Sequence, residues 1–226
     1  MKYAYSQNER VEATPKAQGI CICCGSEMVA KCGNQKIWHW AHKNRRQCDI
    51  WWENETEWHR NWKDKFPKEW QEVVHFAEDG EKHIADVKTP SGLVVEFQHS
   101  RLKYDELRSR ENFYRDLIWV VDGTRLKSDF EKFDWFKGLV PWRKWKYGQF
   151  YSPNLPPKFF PSYNLWQHSN TIVIFDWGYV KSEYWIDDWH SHLVGMAPQG
   201  WFVMARDEFV NRLKVKKGLF ATDPRT

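Results

Sequence analysis

Residues 83–100 read HIADVKTPSGLVVEFQHS. Two runs of strand formers flank Pro90-Ser91-Gly92, a pattern that predicts a β-hairpin. Side chains two apart share one face of a strand. Ala85 and Val87 therefore share a face of the first strand, with Ile84, Asp86 and Lys88 on the other. In the second strand Leu93, Val95 and Phe97 oppose Val94, Glu96, Gln98 and Ser100. The apolar sets mark the buried side, so Asp86, Glu96 and Gln98 are expected together on the far face. A three-residue loop aligns Asp86 with Glu96, whereas a two-residue loop would set Asp86 against Val95.

Two facing carboxylates repel each other unless a cation sits between them. A hard ion such as Mg²⁺ or Mn²⁺, held by one or two carboxylates with waters and a substrate phosphate, meets that need. A solvated hairpin face is the competing reading, and the hairpin alone does not decide between them.

With 226 residues the chain is long enough to bury a full core. Mean hydropathy is −0.77, yet aromatics make up 17% with 16 Trp, and burial in such bulky units argues against disorder. No run of 18 apolar residues occurs, and the opening MKYAYSQNERVEA lacks an apolar signal core. A soluble, cytoplasmic protein with no membrane partner is expected. Net charge is +4 over residues 1–50, −5 over 51–122 and +5 over 123–226. An acidic middle with basic flanks suits a metal centre bordered by polyanion-binding surface.

All five cysteines fall between Cys21 and Cys48. A clustered odd set without an export signal reads as metal binding rather than as a disulfide framework. Cys21-x2-Cys24 and His39-x2-His42 have the spacing of a structural Zn²⁺ site with four protein ligands, and Cys48 is an alternative to either histidine. The expected path is a knuckle at Cys21–Gly25, strands at 27–31 and 36–40 joined by a Gly33-Asn34 turn, and His42 opening the next helix. Cys23 and Cys32 read as bystanders.

Residues 53–66 predict a helix that stops before Pro67. Trp58, Trp62 and Phe66 form its apolar stripe, and Glu55, His59 and Lys63 recur at the same spacing on a neighbouring face. A surface helix with a Glu-to-Lys ladder accounts for that pattern without any function.

The order Cys-x2-Cys, HWAH, Glu-Thr-x-x-His-x3-Lys, ADV and Glu-x-Gln-x-Ser resembles the CoiA-like competence protein family. The resemblance runs from Cys21 to Asp122 and includes the Arg-x3-Tyr pattern of Arg110 and Tyr114. It implies a zinc-ribbon-like module over 1–50 and a nuclease core over 51–122. The implied fold is α/β, a PD-(D/E)xK restriction-endonuclease-like mixed sheet flanked by helices. It further implies Asp86 and Glu96 as ligands of Mg²⁺ or Mn²⁺. Gln98 stands where that superfamily usually has lysine, and Glu55 and His59 complete the catalytic set. Lys63, Lys88 and Lys103 are candidates for the positive charge beside the attacking water.

The function so implied is metal-dependent hydrolysis of DNA phosphodiester bonds, in recombination or DNA uptake, with single-stranded or branched DNA as partner. A defence or phage-encoded nuclease would have the same residues. A non-catalytic DNA-binding protein on the same fold, or a structural zinc protein, is the alternative from another class.

Residues 123–226 read as an accessory α+β region. TIVIFDWG (171–178) predicts a buried strand, and residues 201–217 a strand entering a helix. Arg143, Lys144 and Lys146 lie among aromatics, a mixture suited to single-stranded nucleic acid. With Lys63, Ser100, Lys103, Arg110 and Tyr114 they make up the candidate DNA contacts.

Overall fold

A computed structural model of the protein describes residues 1–44, 48–129, 143–145, 148–151, 162–178, 192–197, 200–215 and 219. The chain divides into two compact units, Met1–Lys88 and Thr89–Thr226. Both combine strands with a few helices.

The first unit opens with an antiparallel sheet of order β2-β1-β3-β4-β5. Its strands are β1 Tyr3–Ser6, β2 Glu9–Glu12, β3 Gln18–Ile20, β4 Glu27–Lys31 and β5 His39–His42. Gln7 and Asn8 join β1 to β2 with φ of 51° and 65°, the left-handed pair that a two-residue hairpin requires. Met1, Ala4, Cys21, Cys23, Met28 and Trp40 form the core beneath this sheet. Gly19 cannot carry a side chain, because a Cβ there would lie 2.9 Å from the carbonyl oxygen of Tyr5.

Two expectations for this segment are corrected. The strand expected at 36–40 is β5 at His39–His42, paired with β4 in the register Met28↔His42 and Lys31↔His39. His42 therefore ends a strand and does not begin a helix.

The helix expected over 53–66 is α1, Glu57–Lys63. Thr56 caps it, accepting from the His59 backbone N–H, while the His59 ring accepts in return from the Thr56 N–H. That reciprocal box satisfies two orphan amides and fixes the start of the helix. Glu53 and Glu55 thus precede the helix. Trp62 and Phe66 are buried as the stripe predicts. Beyond Pro67 and a 3₁₀ turn at Lys68–Trp70, β6 Gln71–Phe76 pairs antiparallel with β7 Lys82–Lys88. In β7 Ala85 and Val87 are buried while Ile84, Asp86 and Lys88 are partly exposed, as the alternation requires.

The second unit begins with a turn in which the Thr89 N–H donates to the Leu93 carbonyl and the Gly92 N–H to the Thr89 carbonyl. The loop is therefore Pro90-Ser91-Gly92, with Gly92 at φ 95°. β8 Val94–Gln98, α2 Tyr104–Tyr114 and β9 Leu117–Asp122 form a strand–helix–strand crossover with β8 and β9 parallel. All of β8 and β9 is buried. The one-sided burial expected for Val94–Gln98 is thus corrected. A central parallel strand is covered on both faces, so Glu96 and Gln98 lie inside.

The sheet continues past β9. β12 Ile172–Asp176 runs parallel to β9, and β13 His192–Ala197, β14 Gly200–Ala205, β11 Gly148–Tyr151 and β10 Arg143–Trp145 follow antiparallel. Helix α3 Arg206–Lys214 leaves β14. The expected strand at 171–178 and the strand-to-helix passage after 201 correspond to these elements. No helix among the described residues is long and apolar enough to cross a membrane.

Candidate metal centre and buried charge cluster

Cys21, Cys24, His42 and Cys48 bring one ligand atom each to within 4.8 Å of one another. Cys21 Sγ lies 3.7 Å from Cys48 Sγ, and Cys24 Sγ lies 3.3 Å from His42 Nε2. A tetrahedral Zn²⁺ with Zn–S near 2.3 Å separates two sulfurs by roughly 3.8 Å, and a sulfur and a nitrogen by slightly less. The donor set and both edges fit zinc. The knuckle is built by the Gly25 N–H on the Cys21 carbonyl and the Cys21 N–H on the Ser26 carbonyl, with Gly25 at φ 73°. The Cys48 hydrogen bond pulls the Cys21 thiol well down, to about 4.

His39 is not part of this group, and Cys48 takes its place. Residues three apart in a strand point to opposite faces, so His39 and His42 on β5 cannot meet at one ion. His39 Nδ1 instead donates to the Ile37 carbonyl at 2.8 Å. Cys23 belongs to the core and Cys32 packs against it.

The second polar centre of this unit surrounds Lys63, whose side chain is 4% exposed. Its Nζ lies 2.6 Å from Glu55, 2.9 Å from Glu72 and 3.8 Å from Asp86. Arg60 grips the same Glu55 with two hydrogen bonds of 3.0 Å. Burial alone would drive Lys63 toward neutrality, but Glu72, Glu55 and Asp86 hold it charged, well above the ordinary lysine range. Burial is the largest influence on Glu55 and Glu72 and would raise both. Lys63 and the Met1 ammonium together, with Arg60 at Glu55 and the Lys2 N–H at Glu72, outweigh it, and both carboxyls sit below the usual range. Asp86 is the most exposed of the three carboxylates, at 23%.

Glu72 was not read from the sequence as a site residue. It sits on β6 between the pairs Gln71↔Val87 and Val73↔Ala85, which sets it across from Asp86. Its φ is 45°, a conformation costing about 1–3 kcal/mol that non-glycine residues keep only where the surroundings enforce it. The Lys2 and Tyr3 N–H groups do so, donating to Glu72 at 2.7 and 2.9 Å. A carboxylate inside a strand pattern was the available signal; the backbone partners 69 and 70 residues away were not.

His59 is buried, and its ring is engaged by Thr56 at Nδ1 and by Glu53, 3.3 Å from Nε2. In the second unit Glu96 accepts from Arg110 at 3.3 Å. Gln98 donates from Nε2 to the Ser100 carbonyl and hydroxyl, and its buried Oε1 has no hydrogen-bond partner among the described residues. Arg110 and Tyr114 are buried, as is Lys63 in the first unit, so none of the three presents a surface to phosphate. Ser100 and Lys103 are exposed. Arg143 and Lys144 lie on β10, where only the backbone is described, and Lys146 lies outside the described residues.

Residues 4–51 match the family model described as "Competence protein CoiA, N-terminal domain". The matched stretch contains all four residues of the sulfur and histidine cluster and ends before α1, so the N-terminal module is similar to the CoiA N-terminal domain. No curated protein and no solved structure matches the chain.

Proposed function

We propose that the chain is a Mg²⁺- or Mn²⁺-dependent nuclease that hydrolyses DNA phosphodiester bonds, with a zinc-stabilised N-terminal module. The observation that carries this reading is the buried Lys63 ammonium among Glu55, Glu72 and Asp86. Strongly perturbed, mutually dependent charges of this kind concentrate at functional sites. The strained Glu72 and the orphaned Gln98 Oε1 add support, since each is costly without a use. The three-residue loop supports the register on which the sequence reading rested. The CoiA match supports a competence-related setting in DNA uptake or recombination.

In this reading Asp86 is a ligand of the divalent ion, and Glu96 and Gln98 keep the roles that the family resemblance implies for them. The ion, when bound, lowers the pKa of its water and draws charge from the phosphoryl oxygens. Lys63 supplies the positive charge for which Lys88 and Lys103 were also candidates, and its three partners keep it protonated. Arg60 fixes Glu55, and Glu55 fixes the Lys63 ammonium. His59 sets the helix start through its cap.

A non-catalytic DNA-binding protein is the second reading, favoured by Arg110, which already neutralises Glu96. Incubation with single-stranded, duplex and branched DNA, with and without Mn²⁺, separates the two. Mn²⁺-dependent cleavage supports the nuclease. Binding without cleavage of any substrate hands the case to the second reading.

A further inference from the structure

Two cavities of the first unit adjoin. One, of about 310 Å³, is lined by Met28, Lys31, His42 and Cys48. The other, of about 640 Å³, is lined by Lys36, Trp38, Asn54 and Glu55. Met1, His39 and Trp52 line both, so the two are parts of one groove. It leads from the edge of the sulfur cluster to Glu55 of the Lys63 cluster, and each part is within the size range of ligand-binding clefts.

The chemistry of the walls identifies an occupant. Trp38 is 47% exposed, an expensive placement for a large ring on a structural segment. Lys31 and Lys36 are exposed and form no ion pair among the described residues. Of the groove's three carboxylates, Asp49 and Glu55 are consumed elsewhere and Glu57 is exposed. Asp49 accepts from His83 and from the backbone of Trp51 and Ile84, and Glu55 is held by Lys63 and Arg60. His39 spends Nδ1 on Ile37, and its Nε2 has no partner among the described residues. Arg60 also donates to the Trp38 carbonyl at 3.0 Å, tying the exposed ring's segment to the carboxylate cluster.

Free ring faces with unpaired lysines fit a strand whose bases are unstacked and whose backbone is anionic. We propose that this groove binds single-stranded DNA, stacking a base on Trp38 and setting Lys31 and Lys36 against phosphates, so that the strand runs along the zinc module toward Glu55. The inference deepens the nuclease reading and rests on it for the strand's destination, not for its binding.

The test is the affinity of the full chain for a fluorescent oligothymidylate at several salt concentrations, without added divalent metal. Trp38→Ala should weaken binding about tenfold or more, the loss of one stacked base. Lys31→Gln with Lys36→Gln should lower the salt slope by roughly 1.4, the value for two phosphate contacts on a single strand. Zinc content and circular dichroism verify that these exposed substitutions leave the fold intact. Wild-type affinity and slope in both variants would overturn the groove, as would equally tight binding of duplex. Cleavage is read in parallel. If Asp86→Asn cuts like the wild type while the groove variants lose affinity, the nuclease reading fails and the groove stands.

Discussion

The first unit holds two polar centres built on opposite principles. Around Cys21 the ligands sit at the edge lengths of a tetrahedron, and most of them reach solvent. Around Lys63 the positive charge belongs to the chain, and its carboxylates are largely sealed from water. The first centre gathers donors that an external cation can join. The second supplies its own cation and leaves one carboxylate, Asp86, at its open side. The first could hold a structural zinc, whose binding free energy would add to that of folding. The other stores charge, which stability alone does not require, since well-packed apolar residues commonly do as well as a buried ion pair.

The largest effect that sharpens this contrast is on the first centre. Stripping zinc should destabilise the N-terminal module by roughly 10 kcal/mol, the scale of structural zinc in small modules. Cys48→Ser, which removes one of four ligands, should lower both zinc content and the unfolding midpoint. Elemental analysis should find about one zinc per chain in the wild type. A metal-free protein with an unchanged unfolding midpoint would break the distinction. Next is Lys63→Met, which leaves three carboxylates without their central cation and should cost about 3–5 kcal/mol in chemical denaturation. An unchanged midpoint would mean that the carboxylates do not depend on Lys63.

A third effect is on pH. Glu55 and Glu72 have folded pKa values below their unfolded ones, so their contribution is fully present above about pH 5 and is lost as acid protonates them. Lys63 is raised, so its contribution is complete below about pH 10 and is lost only above that. Urea midpoints should therefore be level through neutrality and fall below about pH 4. The Glu55→Gln variant should show a shallower acid limb, and the same limb in both proteins would refute the link. The smallest effect is His39→Ala, which should leave zinc content unchanged, whereas His42→Ala should lower it.

How much of this was legible follows from which contacts are local. The end of β7 and the start of β8 follow from alternation and the Pro90-Ser91-Gly92 turn, all within a few residues. The one-sided reading worked for β7 and failed for β8, because alternation presumes a solvated face and a central parallel strand has none. The zinc spacing found three ligands of four. It assigned His39 because His-x2-His converges when the second histidine starts a helix, and β5 is a strand throughout. Glu55 was assigned to a helical ladder with Lys63. It reaches Lys63 from before the N-cap instead, a contact that periodicity cannot foretell. Glu72 escaped altogether, since its role depends on the backbone of Lys2 and Tyr3.

The central claim is that Asp86 belongs to a catalytic centre and not to a structural one. The direct measurement is DNA cleavage in Mn²⁺ by Asp86→Asn beside the wild type, with oligonucleotide affinity measured on the same samples. Asp86 is the most exposed member of its cluster, so the substitution should fold. Cleavage abolished with affinity within about twofold is the expected result, because DNA affinity rests on cationic and stacking contacts that this change leaves in place. Wild-type cleavage by Asp86→Asn would contradict the account.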